Sequence, residues 1–456
     1  MSSSFAATRT TKSHHVGGVE GVPADVKSTT PRRSWIQALG WVFAIGAVVF
    51  AVSTIYRGMR VIELRTLALE ASEALHTGQW QRLENVSRRW QEKDPNAGMA
   101  WLLAAQAAEK LESPGRMVAY IERMPDDDSG KANALMDVAT AYFGPLNQPS
   151  LGEAACLKSL ELQPNNVEAR RRLVFYYCMT LQREKLIRFA RDAIAVGNET
   201  PETYVYLIGA DWITLSNAAD YNGKWLQSSD SPENFLVAYL VHWAGAAGIS
   251  SVQDGDVSSV ASWSADPALQ ARIEKLIGPG TDQKQVTDHR QQLLLCMERY
   301  PQNSELIAFQ LREAAAEGDV DRVAKLLSRV PESAAGDNRF YHYKGWLHET
   351  LGENDDAIVA YRDALRFNPF DWRTQLKLAG VLRLAGKTDE ADRLAALGVD
   401  GKNLRETIMR LADVQSLPMP VLESMLDYCQ RCGDKIVADG LANRVEMIRR
   451  ESAGKS

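Results

Sequence analysis

Residues 338–371, which read NRFYHYKGWLHETLGENDDAIVAYRDALRFNPFD, decide the prediction of the fold. Small side chains at Gly345 and Ala357 allow the backbones of two helices to approach each other closely. Gly352 stands between two apolar runs and readily takes the positive φ of a helix end, while Pro369 stops the second helix because it cannot continue it. The stretch therefore predicts a helix, a short turn and a second helix.

This pattern recurs with a period of 34 residues. Residues 372–405 repeat it, with small residues at the matching positions Ala379, Gly386, Ala391 and Ala395. Less regular copies occupy residues 64–97, 133–166, 167–200, 304–337 and 419–452, whereas two stretches in the same phase match poorly, 98–131 and 270–303. Because each helix pair needs neighbours to cover its apolar faces, the recurrence predicts an all-α chain of stacked pairs.

The spacing and the small residues resemble the tetratricopeptide repeat (TPR), a family of 34-residue helix-turn-helix units. The resemblance implies an α-solenoid of such repeats over residues 58–200 and 270–456, with the best units at 338–371 and 372–405. Residues 201–269 depart from the pattern. They are predicted to form a divergent helical segment that either interrupts the array or contains repeats that have drifted.

An apolar segment precedes the repeats. Trp35–Tyr56 contains 22 residues and no charge, enough for a helix to cross a bilayer core that is roughly 30 Å thick. We therefore predict a transmembrane helix at residues 34–57, preceded by a disordered tail at residues 1–33 whose polar composition cannot form a core. A cleaved signal peptide is the alternative, but the apolar run is longer than usual and no clear small-residue cleavage site follows it.

Charges on the two sides of this segment bear on its orientation. Five Lys/Arg residues lie within residues 1–33, and Arg57 and Arg60 follow the segment. The positive-inside rule favours a cytoplasmic tail, which predicts a single-pass membrane protein with its C-terminal body on the non-cytoplasmic side. The small residues Gly40 and Ala44 also make a homodimer through the lipid-embedded helix possible.

Composition and motifs argue against several other classes of function. The net charge of −6 leaves no basic body for nucleic acid. The five cysteines are too few for a disulfide framework, and the CQRC motif at Cys429–Cys432 lacks a second ligand pair for zinc, so a buried structural cysteine is expected at Cys429. Without an HExxH motif or a phosphate-binding loop, no catalytic residue, metal site or cofactor is predicted.

The remaining candidate is a surface for a protein or peptide partner. In TPR proteins, ligand peptides usually lie along a groove lined by the second, fifth, ninth and twelfth positions of each first helix. Carried over to this sequence, these positions select Arg171, Phe175, Arg339, His342, Trp346, Arg373 and Arg383. Guanidinium groups pair with carboxylates and Trp offers a flat contact face, so the set suits an acidic segment. The alternative is that the aromatic rings pack between repeats and the arginines form a solvated face.

Three hypotheses for the function result. The first is a membrane-anchored scaffold or adaptor that binds a protein partner and is not an enzyme. The second is a helical enzyme, or an enzyme subunit, with a pocket around residues 201–269; mutually close polar side chains there would favour it. The third is a structural membrane protein that assembles with itself.

Overall fold

The computed structural model of the chain describes residues 32–211, 218–228, 233–250, 267–277, 289–411 and 414–453. The tail predicted at residues 1–33 lies outside the described residues up to residue 31, as do three stretches of the segment 201–269. By its contacts the chain divides into two compact units, Met1–Thr66 and Leu67–Ser456.

The described part of the first unit is helical throughout. It belongs to helix α1, Arg32–His76, which continues into the second unit. Large apolar side chains are exposed along it, among them Ile45, Val48, Val49, Phe50, Val52 and Ile55. In the part of the chain that the structure describes, Ile45–His76 is the one helix long and apolar enough, by length and composition, to cross a membrane. It overlaps the span predicted at residues 34–57.

The second unit is built from helices alone in its described residues, which confirms the all-α prediction. Counting α1, the described residues form 21 α-helices and one short 3₁₀ turn at Glu332–Ala334. The helices after α1 are α2 (Trp80–Lys93), α3 (Gly98–Lys110), α4 (Pro114–Arg123), α5 (Lys131–Phe143), α6 (Pro149–Leu162), α7 (Val167–Met179), α8 (Arg183–Ala195), α9 (Pro201–Ile208), α10 (Ala218–Leu226), α11 (Glu233–Ser250), α12 (Pro267–Ile277), α13 (His289–Arg299), α14 (Ser304–Glu317), α15 (Val320–Leu327), α16 (Asn338–Leu351), α17 (Asn354–Phe367), α18 (Trp372–Leu384), α19 (Thr388–Met409), α20 (Met419–Cys432) and α21 (Lys435–Ala453).

Consecutive helices pack in pairs, and the first helices α14, α16 and α18 begin 34 residues apart as predicted, whereas α20 begins 47 residues after α18. In the C-terminal half the pairs are α14 with α15, α16 with α17, α18 with α19 and α20 with α21. Residues 98–131, whose sequence matches the repeat poorly, also form a pair, α3 with α4. Alanines in α3 such as Ala104 and Ala108 are fully buried, so helix packing there rests on small side chains. An α-solenoid arrangement of helix-turn-helix repeats is confirmed.

Glycines end the first helix of three successive repeats. Gly318, Gly352 and Gly386 have φ angles of 76°, 78° and 74°. A residue with a Cβ is strained in this left-handed region, so glycine favours the tight turn into the second helix. The helix stop predicted at Gly352 is therefore confirmed.

The small residue in the middle of α16 makes room for an aromatic ring. A Cβ added at Gly345 would lie 2.5 Å from Cδ1 of Tyr361, which is fully buried in α17. The prediction paired Gly345 with Ala357, whereas the group that lies against Gly345 in the structure is the Tyr361 ring. The Tyr361 hydroxyl donates to Oε2 of Glu349 at 2.6 Å, which ties the far end of the ring to α16.

The divergent segment packs against both groups of repeats in its described part. Helix α9 lies on α7 and α8, and α10 lies on α7 and α11. Helix α11 in turn packs on α13 and α14. The described helices of residues 201–269 thus connect the two groups of repeats within the second unit.

The last repeat packs on the middle of the chain. Helix α21 contacts α8, and the Arg444 guanidinium donates to the Glu199 carboxylate, with Nη2 2.9 Å from Oε1. A Cβ added at Gly440 would lie 2.5 Å from Cγ2 of Ile194 and 2.6 Å from the hydroxyl oxygen of Tyr204. Arg444 and Glu199 are 245 positions apart in the sequence. The array therefore contains contacts well beyond those between neighbouring repeats.

Candidate peptide-binding face

The first helices of three repeats, α14, α16 and α18, pack side by side and carry most of the predicted site residues. Polar contacts join them in pairs. The Arg339 guanidinium on α16 donates to both carboxylate oxygens of Glu305 on α14, at 2.8 and 2.5 Å. On the other side of α16, Nδ1 of His342 lies 2.6 Å from the hydroxyl oxygen of Thr374 on α18. The spacing of the three helices is thereby fixed.

Arg339 is held inside an ion-pair network. Besides Glu305, it donates to Asp337 at 2.6 Å, and Asp337 lies 3.6 Å from Nε of Arg183. Burial alone would lower the pKa of Arg339, but the charges of Asp337 and Glu305 hold it well above its ordinary value. Burial likewise opposes the charge on Asp337, yet Arg339 and Arg183 together lower the pKa of that carboxyl to about 2. The Arg339 guanidinium is therefore occupied within the protein.

His342 serves as a connecting group in this arrangement. The Thr374 hydroxyl donates its single proton to Oδ2 of Asp371 at 2.5 Å. His342 must then donate from Nδ1 to the Thr374 oxygen. Burial lowers the pKa of His342, which favours the neutral ring. The chain of hydrogen bonds links α16 to the start of α18.

Arg171 and Phe175, on α7, also contact a neighbouring repeat. Nε of Arg171 donates to Oε1 of Glu202 on α9 at 2.7 Å. The Phe175 ring meets Tyr206 and Tyr221 edge-on, with ring centroids 6.4 and 6.1 Å apart. Both predicted site residues thus make packing contacts between helices.

Trp346 and Arg383 occupy different surroundings. Trp346 is half-buried against the apolar cluster of α14 and α16 that includes Leu311 and Phe340. Nη2 of Arg383 donates to Oδ1 of Asp392 on α19 at 2.8 Å, in an exposed ion pair within its own repeat. Arg383 therefore contacts the second helix of its repeat.

Arg373 differs from the other predicted arginines. It is exposed, and its guanidinium carbon lies 4.7 Å from the centroid of the Trp372 ring. Arg312 on α14 is placed in the same way, exposed and 4.7 Å from the centroid of Phe309. Neither guanidinium makes an ion pair with a carboxylate of the described residues. Two positive charges thus remain without an acidic partner there.

Positive charge converges on the surface between these two arginines. Burial raises the pKa of Tyr343 on α16, and the charges of Arg312 and Arg373 oppose that shift. Burial followed by the charge of Arg373 lowers the pKa of Arg405 on α19. We name this surface the α14–α18 face. It consists of Arg312, Tyr343, Trp346, Arg373 and Arg405.

Three members of the α14–α18 face were missed from the sequence. Arg312 occupies the ninth position of the unit 304–337, a groove position in the family, but only the more regular units were used for the prediction. The sequence therefore contained a signal for Arg312. Tyr343 and Arg405 lie outside the four positions carried over from the family, and only their place in the structure brings them in.

A cleft of about 600 Å³ lies elsewhere in the second unit. It is bordered by the first turns of α8 and α14 and by the connection before α16, and its lining includes Leu181, Arg183, Ile187, Val237, Glu305, Asp337 and Phe367. From the described part of residues 201–269, Asn234 and Val237 reach it. Burial lowers the pKa of Arg183 to about 10, and its guanidinium donates to the Ala210 carbonyl and to Asn338, each at 2.6 Å. The Arg183 guanidinium, which lines this cleft, is therefore engaged within the protein.

The remaining reactive groups are the five cysteines and one cluster of possible metal ligands. All five cysteines are free thiols. Cys429 is fully buried, as predicted, and burial raises the pKa of Cys432 to about 12. At the turn after α16, donor atoms of His348, Glu353 and Asp356 lie within 4.8 Å of one another, and His348 Nδ1 is 2.6 Å from Glu353 Oε2. We assign these three residues no role beyond this exposed contact.

Comparison with known proteins gives a local match in sequence. No protein-family model matches the chain. The TPR repeat-containing protein MJ1428 of Methanocaldococcus jannaschii is 43% identical over 54 residues. The match covers 12% of this chain and 10% of that protein, so the chain spans about a tenth of the length of this relative.

Solved structures with the same kind of helix pairs cover more of the chain. The match to the APC/C hetero-tetramer Cut9–Hcn1 covers 84% of this chain and 72% of the chain in that structure, with 11% identity and a TM-score of 0.29. The match to a tetratricopeptide repeat protein from Parabacteroides merdae covers 70% of this chain and 99% of that protein's chain, with 10% identity and a TM-score of 0.25. The match to the TPR domain of P58(IPK) covers 85% of this chain and 99% of that domain's chain, with 14% identity and a TM-score of 0.26. At such scores the repeat type rests on this chain's own stride, helix pairs and glycine turns.

Proposed function

We propose that this protein is a single-pass, membrane-anchored scaffold that binds protein partners through the α14–α18 face. The observation that carries the proposal is the pair Arg312 and Arg373, two exposed guanidiniums without an ionic partner among the described residues. The half-buried rings of Tyr343 and Trp346 lie on the helix between them. Arginine and aromatic residues together are typical of the residues that dominate binding energy in protein interfaces.

The membrane part of the proposal rests on α1. Its exposed apolar side chains and its length suit a bilayer, and the flanking arginines favour the tail on the cytoplasmic side. Alkaline carbonate extraction of cell membranes tests the anchor, because an anchored chain stays in the pellet. Protease treatment of sealed inside-out vesicles tests the orientation, and we expect the body to be protected. Digestion of the body in intact inside-out vesicles would contradict this orientation.

Partner capture tests the scaffold. Proximity labelling from the full chain is compared between the wild type and Arg373→Ala combined with Trp346→Ala. Truncating such residues at an interface costs about 2 kcal/mol or more, so we expect the partner set to be depleted. Arg366→Ala is the control: Arg366 is also exposed, with its guanidinium carbon 4.9 Å from the centroid of Phe367 on the second helix α17, but it forms an ion pair with Asp363 at 3.4 Å. An unchanged partner set in the double variant would remove this face from the proposal.

The other two hypotheses have less support. For an enzyme, the cleft would need charged groups available to a substrate, whereas Arg183 and Asp337, which line it, form an ion pair at 3.6 Å. Self-assembly through Gly40 and Ala44 stays a prediction, which the mass of the complex in mild detergent would test.

A further inference from the structure

The second positions of three consecutive repeats explain why Arg373 has no acidic partner. These positions hold Glu305, Arg339 and Arg373, each 34 residues after the last. Glu305 forms an ion pair with Arg339. Arg373, the next residue in this row, therefore follows an arginine whose charge is already neutralised, and the row offers it no carboxylate. Arg373 instead lies on Trp372, and its charge acts on Arg405. The row therefore ends in an uncompensated positive charge.

Stacking on a ring leaves the hydrogen-bonding edge of a guanidinium available. The guanidinium carbons of Arg312 and Arg373 each lie 4.7 Å from the centroid of an aromatic ring, a cation–π contact that does not occupy the N–H donors with a carboxylate. A carboxylate is the group that pairs with such an edge through two parallel hydrogen bonds. Each arginine is thus prepared for one carboxylate.

Contacts within the protein join the three helices on which the two arginines and the two rings lie. Arg339 with Glu305 joins α14 to α16, and His342 with Thr374 joins α16 to α18. These contacts are buried or half-buried and do not depend on a ligand. The helices of the face are therefore held together before a ligand binds.

We infer that the α14–α18 face recognises an acidic peptide segment in which two carboxylates flank one apolar side chain. This rests on the proposed function and names the chemistry of the partner. One carboxylate pairs with Arg312 on α14 and the other with Arg373 on α18. The apolar side chain packs on Tyr343 and Trp346. No repeat of this chain combines Lys at the fifth with Asn at the ninth position, so the arrangement differs from the Lys–Asn clamp of the family.

Selection from a random library of 12-residue peptides tests the inference. The full chain is immobilised in mild detergent, and enriched peptides are sequenced. We expect acidic residues on both sides of an apolar residue. The strongest peptide is then measured by fluorescence anisotropy beside its isosteric version, in which Asn and Gln replace Asp and Glu. We expect binding of the neutral version to be weaker by about tenfold or more, since each charge-assisted hydrogen bond contributes on that order.

Charge-reversal variants locate the effect. Arg312→Glu and Arg373→Glu should each weaken the acidic peptide by about tenfold or more, whereas Arg366→Glu should leave its affinity within about twofold. Far-UV circular dichroism checks that each variant is folded. Because both arginines are exposed, their replacement should not unfold the chain.

The outcomes separate the inference from the scaffold proposal. The inference is overturned if the enriched peptides show no excess of acidic residues. It is also overturned if acidic peptides bind Arg312→Glu and Arg373→Glu with unchanged affinity. If such peptides still lose binding in Trp346→Ala, the face remains a binding site and the scaffold proposal stands. If no peptide is enriched, or if no enriched peptide responds to any of these variants, both fail.

Discussion

Replacing Gly345 by alanine tests how the repeats pack. A glycine in the middle of a helix usually costs about 1 kcal/mol relative to alanine, so the change would ordinarily stabilise the protein. In α16, however, the new Cβ would lie 2.5, 2.6 and 2.8 Å from three carbons of the Tyr361 ring. We therefore expect Gly345→Ala to destabilise the protein.

The size of the effect depends on how far the ring can move. An ordinary carbon contact is about 3.5–4.0 Å, so the ring or the helix must shift by roughly 1 Å. Tyr361 is fully buried, and its hydroxyl is held by Glu349, so the ring has little freedom to turn. Overpacking of this kind costs about 1–3 kcal/mol, and the upper end applies here. After the gain in helix propensity, a net loss of about 2 kcal/mol is expected.

Urea denaturation of the full chain in mild detergent, followed by circular dichroism, measures the change. Gly380→Ala is the matched control: Gly380 lies within α18, and a Cβ there would meet no atom within 4 Å. We expect it to stabilise by about 1 kcal/mol. In a Tyr361→Ala background the three clashing ring carbons are absent, so Gly345→Ala should also stabilise there. The reasoning is refuted if Gly345→Ala stabilises the wild-type background as much as Gly380→Ala does.

Three further results are expected. Arg444→Met leaves Glu199 buried without its partner and should destabilise the protein by about 3–5 kcal/mol, with faster hydrogen exchange in α8 and α21; unchanged exchange there would contradict the contact between them. The carboxyl of Asp337 has a lowered pKa in the folded protein, so it stabilises above pH 4, and about 2 kcal/mol should be lost as the pH falls from about 4 towards 2. Urea midpoints across this range should fall less steeply in Asp337→Asn, and equal slopes would refute the assignment. Burial raises the pKa values of Cys156, Cys178 and Cys296 to about 12, so iodoacetamide at pH 7.5 should label them, detected by mass spectrometry, only after unfolding.

Much of the fold could be predicted from the sequence because the repeat depends on local rules. The glycine at the end of the first helix and the small residue opposite a ring are requirements of single turns and helix pairs. Such requirements recur at a fixed spacing, as at Gly318, Gly352 and Gly386. The pair α3 and α4 was harder to recognise, because alanine-rich packing satisfies the same geometry without the family's larger residues.

The site was less predictable because the role of a charge depends on its neighbours in space. Arg339 and Arg373 occupy the same repeat position, yet one is ion-paired and the other is exposed. Comparing successive second positions, rather than each repeat alone, would have separated them. Nothing local to Arg444 indicates a partner 245 positions away, so the packing of α21 on α8 required the three-dimensional structure.

The contact between α21 and α8 also limits how the number of repeats in this protein can change. In an array whose repeats touch only their neighbours, a unit can be gained or lost by recombination with modest consequences. Here an inserted or deleted pair between residues 209 and 434 would displace Gly440 from the gap beside Ile194 and Tyr204. Descendants of this chain should therefore keep the repeat number of that stretch constant, while units before α5 remain free to vary.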